Sequence, residues 1–170
     1  MEKIFNIPWS DSVKIISVVT TLVLVFVIVV IVIVYLLKNQ GFSSNKLTLL
    51  ILFAVLGISV YFAFQSPISL KLTEDHIAVR KMFGEVKISY TDIVSIDKYD
   101  NYGSDIRLMG NGGFLGYTGV FRNEVLGKYI AYVGNFKQAF YIKTRNDKLY
   151  VLSCENREEV IGLVRKYMSE

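Results

Sequence analysis

The single histidine, His76, and the single cysteine, Cys154, are the side chains best suited to nucleophilic or acid–base chemistry. A nucleophile needs a base within hydrogen-bond reach and a third group to orient that base. His76 follows Asp75 in what reads as a tight turn, and no G-x-S-x-G elbow supplies a serine for it. A turn histidine and a small buried thiol account for both residues. The acidic pairs Glu74/Asp75 and Glu158/Glu159 read as a turn and a helix start. Asp100 and Asp105 flank a loop that lacks EF-hand spacing, and one cysteine excludes the four-cysteine zinc sites. The expectation is a non-catalytic chain with no metal and no cofactor.

Residues 110–121, GNGGFLGYTGVF, hold five glycines in twelve positions and pose the remaining question of chemistry. A phosphate-binding loop needs glycines spaced so that backbone N–H groups converge on one anion. The dinucleotide fingerprint counted from Gly110 and Gly112 demands a third glycine at 115, where Leu115 stands. The P-loop pattern fails as well, because Gly127-Lys128 is followed by Tyr129 and preceded at the required distance by Arg122. The stretch opens no helix. Turns and bends in β structure are the simpler use of these glycines, with Phe114, Tyr117 and Phe121 supplying packing between them.

These residues must be positioned by two unlike parts of the chain. Its 170 residues are 52% hydrophobic with a mean hydropathy of +0.41, and the apolar excess lies near the N-terminus. Residues 15–37, IISVVTTLVLVFVIVVIVIVYLL, form 23 positions without a charge, against the roughly 20 that cross a bilayer core. Residues 47–64, LTLLILFAVLGISVYFAF, add 18 more. The first run is too long for the apolar core of a signal peptide and ends YLLKNQ, so it reads as an uncleaved anchor. A polar connector over 38–46 makes the pair a helical hairpin. Trp9 and Tyr35 suit interfacial anchoring, and Ser59 with Ala63 suits close helix packing. Lys3, Lys14, Lys71, Arg80 and Lys81 on one side outnumber Lys38 and Lys46 on the other, which places the C-terminal domain in the cytoplasm.

The rest divides as an N-terminal tail over 1–14, the hairpin over 15–64 and a small domain over 65–170. That domain carries 15 Lys/Arg and 13 Asp/Glu with the signs interleaved, which argues against nucleic acid as a partner. Period-two alternation over 68–73, 76–83, 85–90, 93–99, 127–135, 138–145 and 148–153, with a further run near 116–122, predicts about seven antiparallel strands. After Asn156 the period changes: apolar residues at 160, 161, 164, 167 and 168 line one face of a helix. Asn156 and Glu159 have the spacing of a capping box.

The segments KLTEDHIAVRKMFGEVKISYTDIVSI, GNGGFLGYTGVFRNEVLGKYIAY and FYIKTRNDKLYVLSCENREEVI together resemble the bacterial pleckstrin-homology-like (PH-like) domain families. In those families the domain often follows one or two membrane spans. The resemblance covers roughly 68–168 and implies a seven-stranded, partly open barrel capped by the C-terminal helix. It departs at one place. Phosphoinositide-binding relatives carry basic residues at the first hairpin, whereas here the turn reads Thr73-Glu74-Asp75-His76.

The functional expectation is a binding or scaffolding module on the inner membrane of a bacterium, integral through its hairpin, that recognises a protein or peptide partner. The candidate contacts are Gly110, Gly112, Gly113, Phe114, Gly116, Tyr117 and Gly119. The alternative is a sensor of anionic phospholipid headgroups through Lys98, Arg107, Arg122 and Lys128, each worth about 1 kcal/mol at such a surface. Homo-oligomers through the spans or the strand edges stay open.

Overall fold

A computed structural model describes residues 2–37 and 42–169. The chain opens with a short strand, β1 (Lys3–Asn6), and enters two apolar helices, α1 (Asp11–Leu37) and α2 (Phe42–Phe64). Nine strands follow: β2 (Pro67–Leu72), β3 (His76–Lys81), β4 (Glu85–Ser89), β5 (Ile93–Lys98), β6 (Ile106–Gly113), β7 (Gly116–Asn123), β8 (Gly127–Val133), β9 (Ala139–Thr144) and β10 (Leu149–Ser153). The helix α3 (Arg157–Ser169) ends the chain.

The strands do not close into a barrel. They form a four-stranded sheet in the order β1-β2-β3-β4 and a six-stranded sheet in the order β5-β9-β10-β8-β7-β6. The break comes between β4 and β5, where Tyr90–Asp92 form one 3-10 turn. Tyr90 is buried there, and its hydroxyl donates to the Thr73 carbonyl at 3.0 Å. The chain thereby turns out of the first sheet and starts the second. In the second sheet β10 lies antiparallel to β9 but parallel to β8, with Val151 opposite Ala131. The predicted hairpins β3–β4 and β9–β10 are both present.

Lys3–Asn6 belongs to the first sheet, although composition alone sets it apart as a tail. Lys3 pairs with Leu72 and Asn6 with Ser69, so β1 and β2 are neighbours across sixty intervening residues of helix and connector. Phe5 and Ile7 point into the core while Ile4 stays exposed, which is strand alternation in miniature. Asn6 also receives the far end of the domain: its side-chain amide donates to the Glu155 carboxylate at 3.0 Å.

The six-stranded sheet has a core on each face. On the inner face Phe140, Ile142 and Leu152 meet Leu70, Ile77 and Val79 of the first sheet, and Val160, Ile161 and Val164 of α3 close the layer. On the outer face Phe121, Tyr129, Ala131, Val133, Leu149 and Val151 pack with Tyr99. α3 shows the predicted apolar stripe. The bond to the Glu159 N–H comes from the Asn156 carbonyl, with Asn156 itself in the left-handed region at φ 59°. Glu159 and Glu158 instead pair with Lys3 at 3.0 Å and Lys98 at 2.6 Å.

Among the described residues one helix, over Asp11–Val34, is long and apolar enough to cross a membrane, and it is exposed almost throughout. α2 is apolar over the shorter Leu49–Phe64. Ser59, expected at a helix contact, donates to the Val55 carbonyl of its own helix at 2.8 Å. The side chain of Tyr35, and Lys38 with it, lies outside the described residues.

Candidate functional site

The glycine stretch forms the β6–β7 hairpin, and its register explains the composition. Gly110 stands directly opposite Gly119, both at φ 120°. A Cβ on Gly110 would lie 2.2 Å from the Thr118 carbonyl oxygen, and one on Gly119 would lie 2.3 Å from that of Met109. The two strands cross too closely for side chains at this point. Toward the tip Gly112 faces Tyr117 and Gly113 faces Gly116. Phe114 and Leu115 make the turn, closed by Asn111, whose side-chain oxygen accepts from the Phe114 N–H at 3.1 Å and whose amide reaches the Phe114 carbonyl.

The tip seats the first turns of α1. Ser17, buried within that helix, accepts the Leu115 N–H at 2.8 Å and donates to the Val13 carbonyl at 2.7 Å. The Ser66 hydroxyl, just after α2, donates to the Leu115 carbonyl. A Cβ on Gly113 would meet the Ile16 side chain at 2.7 Å. The hairpin tip is therefore occupied within the chain by the residues flanking the helical pair. Phe114 and Tyr117 are half-buried rather than solvent-facing, and the Tyr117 ring stands 4.9 Å from that of Phe136. Ser17 is the residue that sequence reasoning missed here; in an apolar run it gives no periodic signal.

The four cations proposed for lipid are not brought together. Lys98 lies on β5, at the opposite edge of the six-stranded sheet from β6, and is paired with Glu158. Arg107 runs its guanidinium alongside Gly112. Arg122 and Lys128 stand opposite each other, six residues along β7 from Gly116 or about 20 Å from the hairpin tip. His76 is held by its own turn: the Thr73 hydroxyl lies 3.1 Å from its Nδ1 and accepts its backbone N–H. Cys154 is fully buried, and that burial pushes its thiol up to about 12. It is no nucleophile at neutral pH.

Two concavities flank the β6–β8 ribbon. A groove of about 490 Å³ runs between the end of α2 and the sheet, lined by Tyr61, Phe62, Met109 and Tyr132. At its polar end the Lys81 ammonium donates to the Gln65 side-chain oxygen at 2.7 Å. A cavity of about 340 Å³ lies at the base of α1, lined by Ser10, Ser12, Tyr102, Asp105, Tyr117 and Phe136 among others. Tyr102, Asp105 and Phe136 carry no recognisable spacing in sequence. β6 itself is an edge strand of eight residues, with Ile106, Leu108 and Met109 exposed at 64%, 54% and 71%.

A two-sheet β domain closed by a C-terminal helix, with concave surfaces and a bare strand edge in place of a nucleophile–base pair, has the features of a binding module. The family profile of the bacterial PH domain matches residues 68–167, and the chain belongs to that family. Such domains are in general binding modules without catalytic activity. The matched span excludes β1 and both apolar helices, so the first sheet is completed by a strand from outside it. No curated protein and no solved structure matches the chain.

Proposed function

We propose that this chain is a membrane-anchored, non-catalytic PH-like module that recognises an extended segment of a protein partner at the membrane surface. The anchoring reading rests on α1 together with the pairing of β1 and β2. That pairing ties both ends of the helical pair to one sheet, so a chain that leaves across a bilayer must come back. α2 is the segment available to return, which makes the pair a two-span hairpin with both termini on one side. The excess of Lys and Arg on that side supports a cytoplasmic placement in a bacterium.

The observation that carries the partner class is the β6 edge. An eight-residue edge strand with three large exposed apolar side chains is a template for strand addition, where backbone hydrogen bonds give affinity and side chains give specificity. The glycine hairpin then supports the site rather than forming it, since its tip is occupied by Ser17 and Ser66. Headgroup sensing by Lys98, Arg107, Arg122 and Lys128 is the weaker reading, because these side chains are dispersed.

A photo-crosslinking residue placed at Leu108 in the full-length protein tests this in cells. The expected result is one discrete protein adduct that disappears in a Met109→Lys background and does not form from a probe at exposed Val94 on β5. Adducts to lipid alone, or equal labelling from both positions, would refute strand-edge recognition.

A further inference from the structure

The cavity at the base of α1 has walls that match a positive charge. Phe136, Tyr117 and Tyr102 form one wall, with the Tyr117 and Tyr102 ring centroids 4.9 Å and 6.0 Å from that of Phe136. Aromatic rings on a cavity wall attract cations through their quadrupoles, and most strongly where water is excluded. Asp105 supplies the counter-charge. One of its carboxylate oxygens is engaged by the Tyr99 hydroxyl and by the Asn123 amide at 3.0 Å. The carboxylate also interacts with the neighbouring buried Tyr129 hydroxyl. Asp105 is the carboxylate on the cavity's lining, so an arriving cation finds its counter-charge there.

The rim has the opposite sign. Lys137 lines the same cavity and forms no ion pair among the described residues. A cation-attracting interior beside a free ammonium group suits a zwitterion, positive end inward and negative end at the rim. A bare phosphate would face Asp105, and a divalent metal would find a single carboxylate where it needs six or more oxygens. The volume, about 340 Å³, fits a polar headgroup and leaves no room for acyl chains.

We propose that this cavity binds the ammonium end of a phospho-amine group, of the phosphoethanolamine or phosphocholine class, with Lys137 taking the phosphate. Where the group comes from rests on the anchoring reading. Ser12 lines the cavity and the apolar run of α1 starts at Ile15, three residues or about 4.5 Å further along the helix. A bilayer's headgroup layer is on the order of 5–7 Å thick, so the mouth of the cavity opens among headgroups if α1 spans. A zwitterionic lipid is the source that this placement favours over a free metabolite.

The test uses full-length protein in a maltoside detergent, titrated with phosphocholine, O-phosphoethanolamine and inorganic phosphate. Binding is read by fluorescence of Trp9, the only tryptophan and the neighbour of Ser10, and by thermal shift. Saturable binding of the two phospho-amines but not of phosphate is expected, weakened about tenfold in Asp105→Asn and in Tyr102→Ala. Tyr102→Ala guards against a folding artefact, since Asp105 also braces Tyr99 and Asn123. Absence of binding, or binding unchanged in both variants, would overturn the site. A second arm reconstitutes the protein in nanodiscs of mixed phosphatidylethanolamine and phosphatidylglycerol and measures the lipid it retains. Enrichment of the amine lipid over the Asp105→Asn variant assigns the ligand to the membrane. Binding in detergent without such enrichment assigns it to a soluble phospho-amine. The detergent arm needs no bilayer, so failure of the site and failure of the anchoring reading give different results.

Discussion

The two faces of the six-stranded sheet are built to opposite ends. The inner face is closed, with Leu152, Ile142 and Phe140 fully buried against the first sheet and α3. The outer face is rich in tyrosine. There Tyr99 and Tyr129 stand edge to face at 5.9 Å, Phe121 stacks on Tyr129 at 6.0 Å, and a cavity opens beside them. Buried polar atoms without a partner collect on this side as well, at Asp105 Oδ2 and the Tyr129 hydroxyl. The contrast separates two tasks. Shape-matched apolar packing makes the domain stable, while unsatisfied polar atoms among aromatic rings are tolerated where a ligand or partner can satisfy them.

If that division is right, the largest effect comes from the inner face. Leu152→Ala should cost about 2–5 kcal/mol, seen as a large drop in melting temperature in detergent, because a packed layer cannot collapse onto the hole. A loss under 1 kcal/mol would mean the two sheets are not packed as described. Next is the seat of α1. Ser17→Ala leaves the Leu115 N–H without its acceptor, at a cost of about 1–3 kcal/mol, while Ser17→Thr should retain most of the stability.

Alkaline pH should act more gradually. Burial raises the ionisation of Cys154 to about 12, and burial likewise raises Tyr90, Tyr99 and Tyr129. Groups whose folded values are raised hold the proton more tightly when folded. Their stabilisation is complete below the unfolded values, about 8.5 for the thiol and about 10 for the phenols, and is lost as pH rises beyond them. The melting temperature should stay flat from pH 6 to about 8.5 as far as these groups decide it, and then fall. The smallest effect is expected at the outer face. Tyr129→Phe removes a buried hydroxyl whose contacts with Tyr99 and Asp105 fall short of hydrogen-bond geometry, and should change stability by less than about 0.5 kcal/mol, or raise it. A loss above 1 kcal/mol would show that the hydroxyl is satisfied after all.

Much of the fold is legible in the sequence because it is local. The hairpins around Gly84 and around Asn146-Asp147, and the stripe of α3, follow from period and turn chemistry over fewer than twenty residues each. What is not legible is long-range. Nothing near Lys3–Asn6 announces a partner at Ser69–Leu72, and nothing near Leu149–Ser153 announces parallel pairing with β8. The division of the expected partly open barrel into two sheets was not legible for the same reason, since the 3-10 turn at Tyr90 redirects the chain and local alternation cannot register that. The glycines were legible as architecture, but their contact with Ser17 was not, because a serine inside an apolar run has no pattern of its own. Tyr102, Asp105 and Phe136 meet only after four strands have been laid down between and around them.

On the proposed reading, helices anchored in the domain's own sheet hold it against a bilayer. Trp9, 37% exposed and two residues before α1, is the native reporter of that arrangement. Its fluorescence in vesicles carrying quenchers at graded depths should fall with headgroup and shallow-chain quenchers and change little with quenchers at the bilayer centre. Equal indifference to every depth, with the protein extracted by alkaline carbonate, would contradict anchoring in a bilayer.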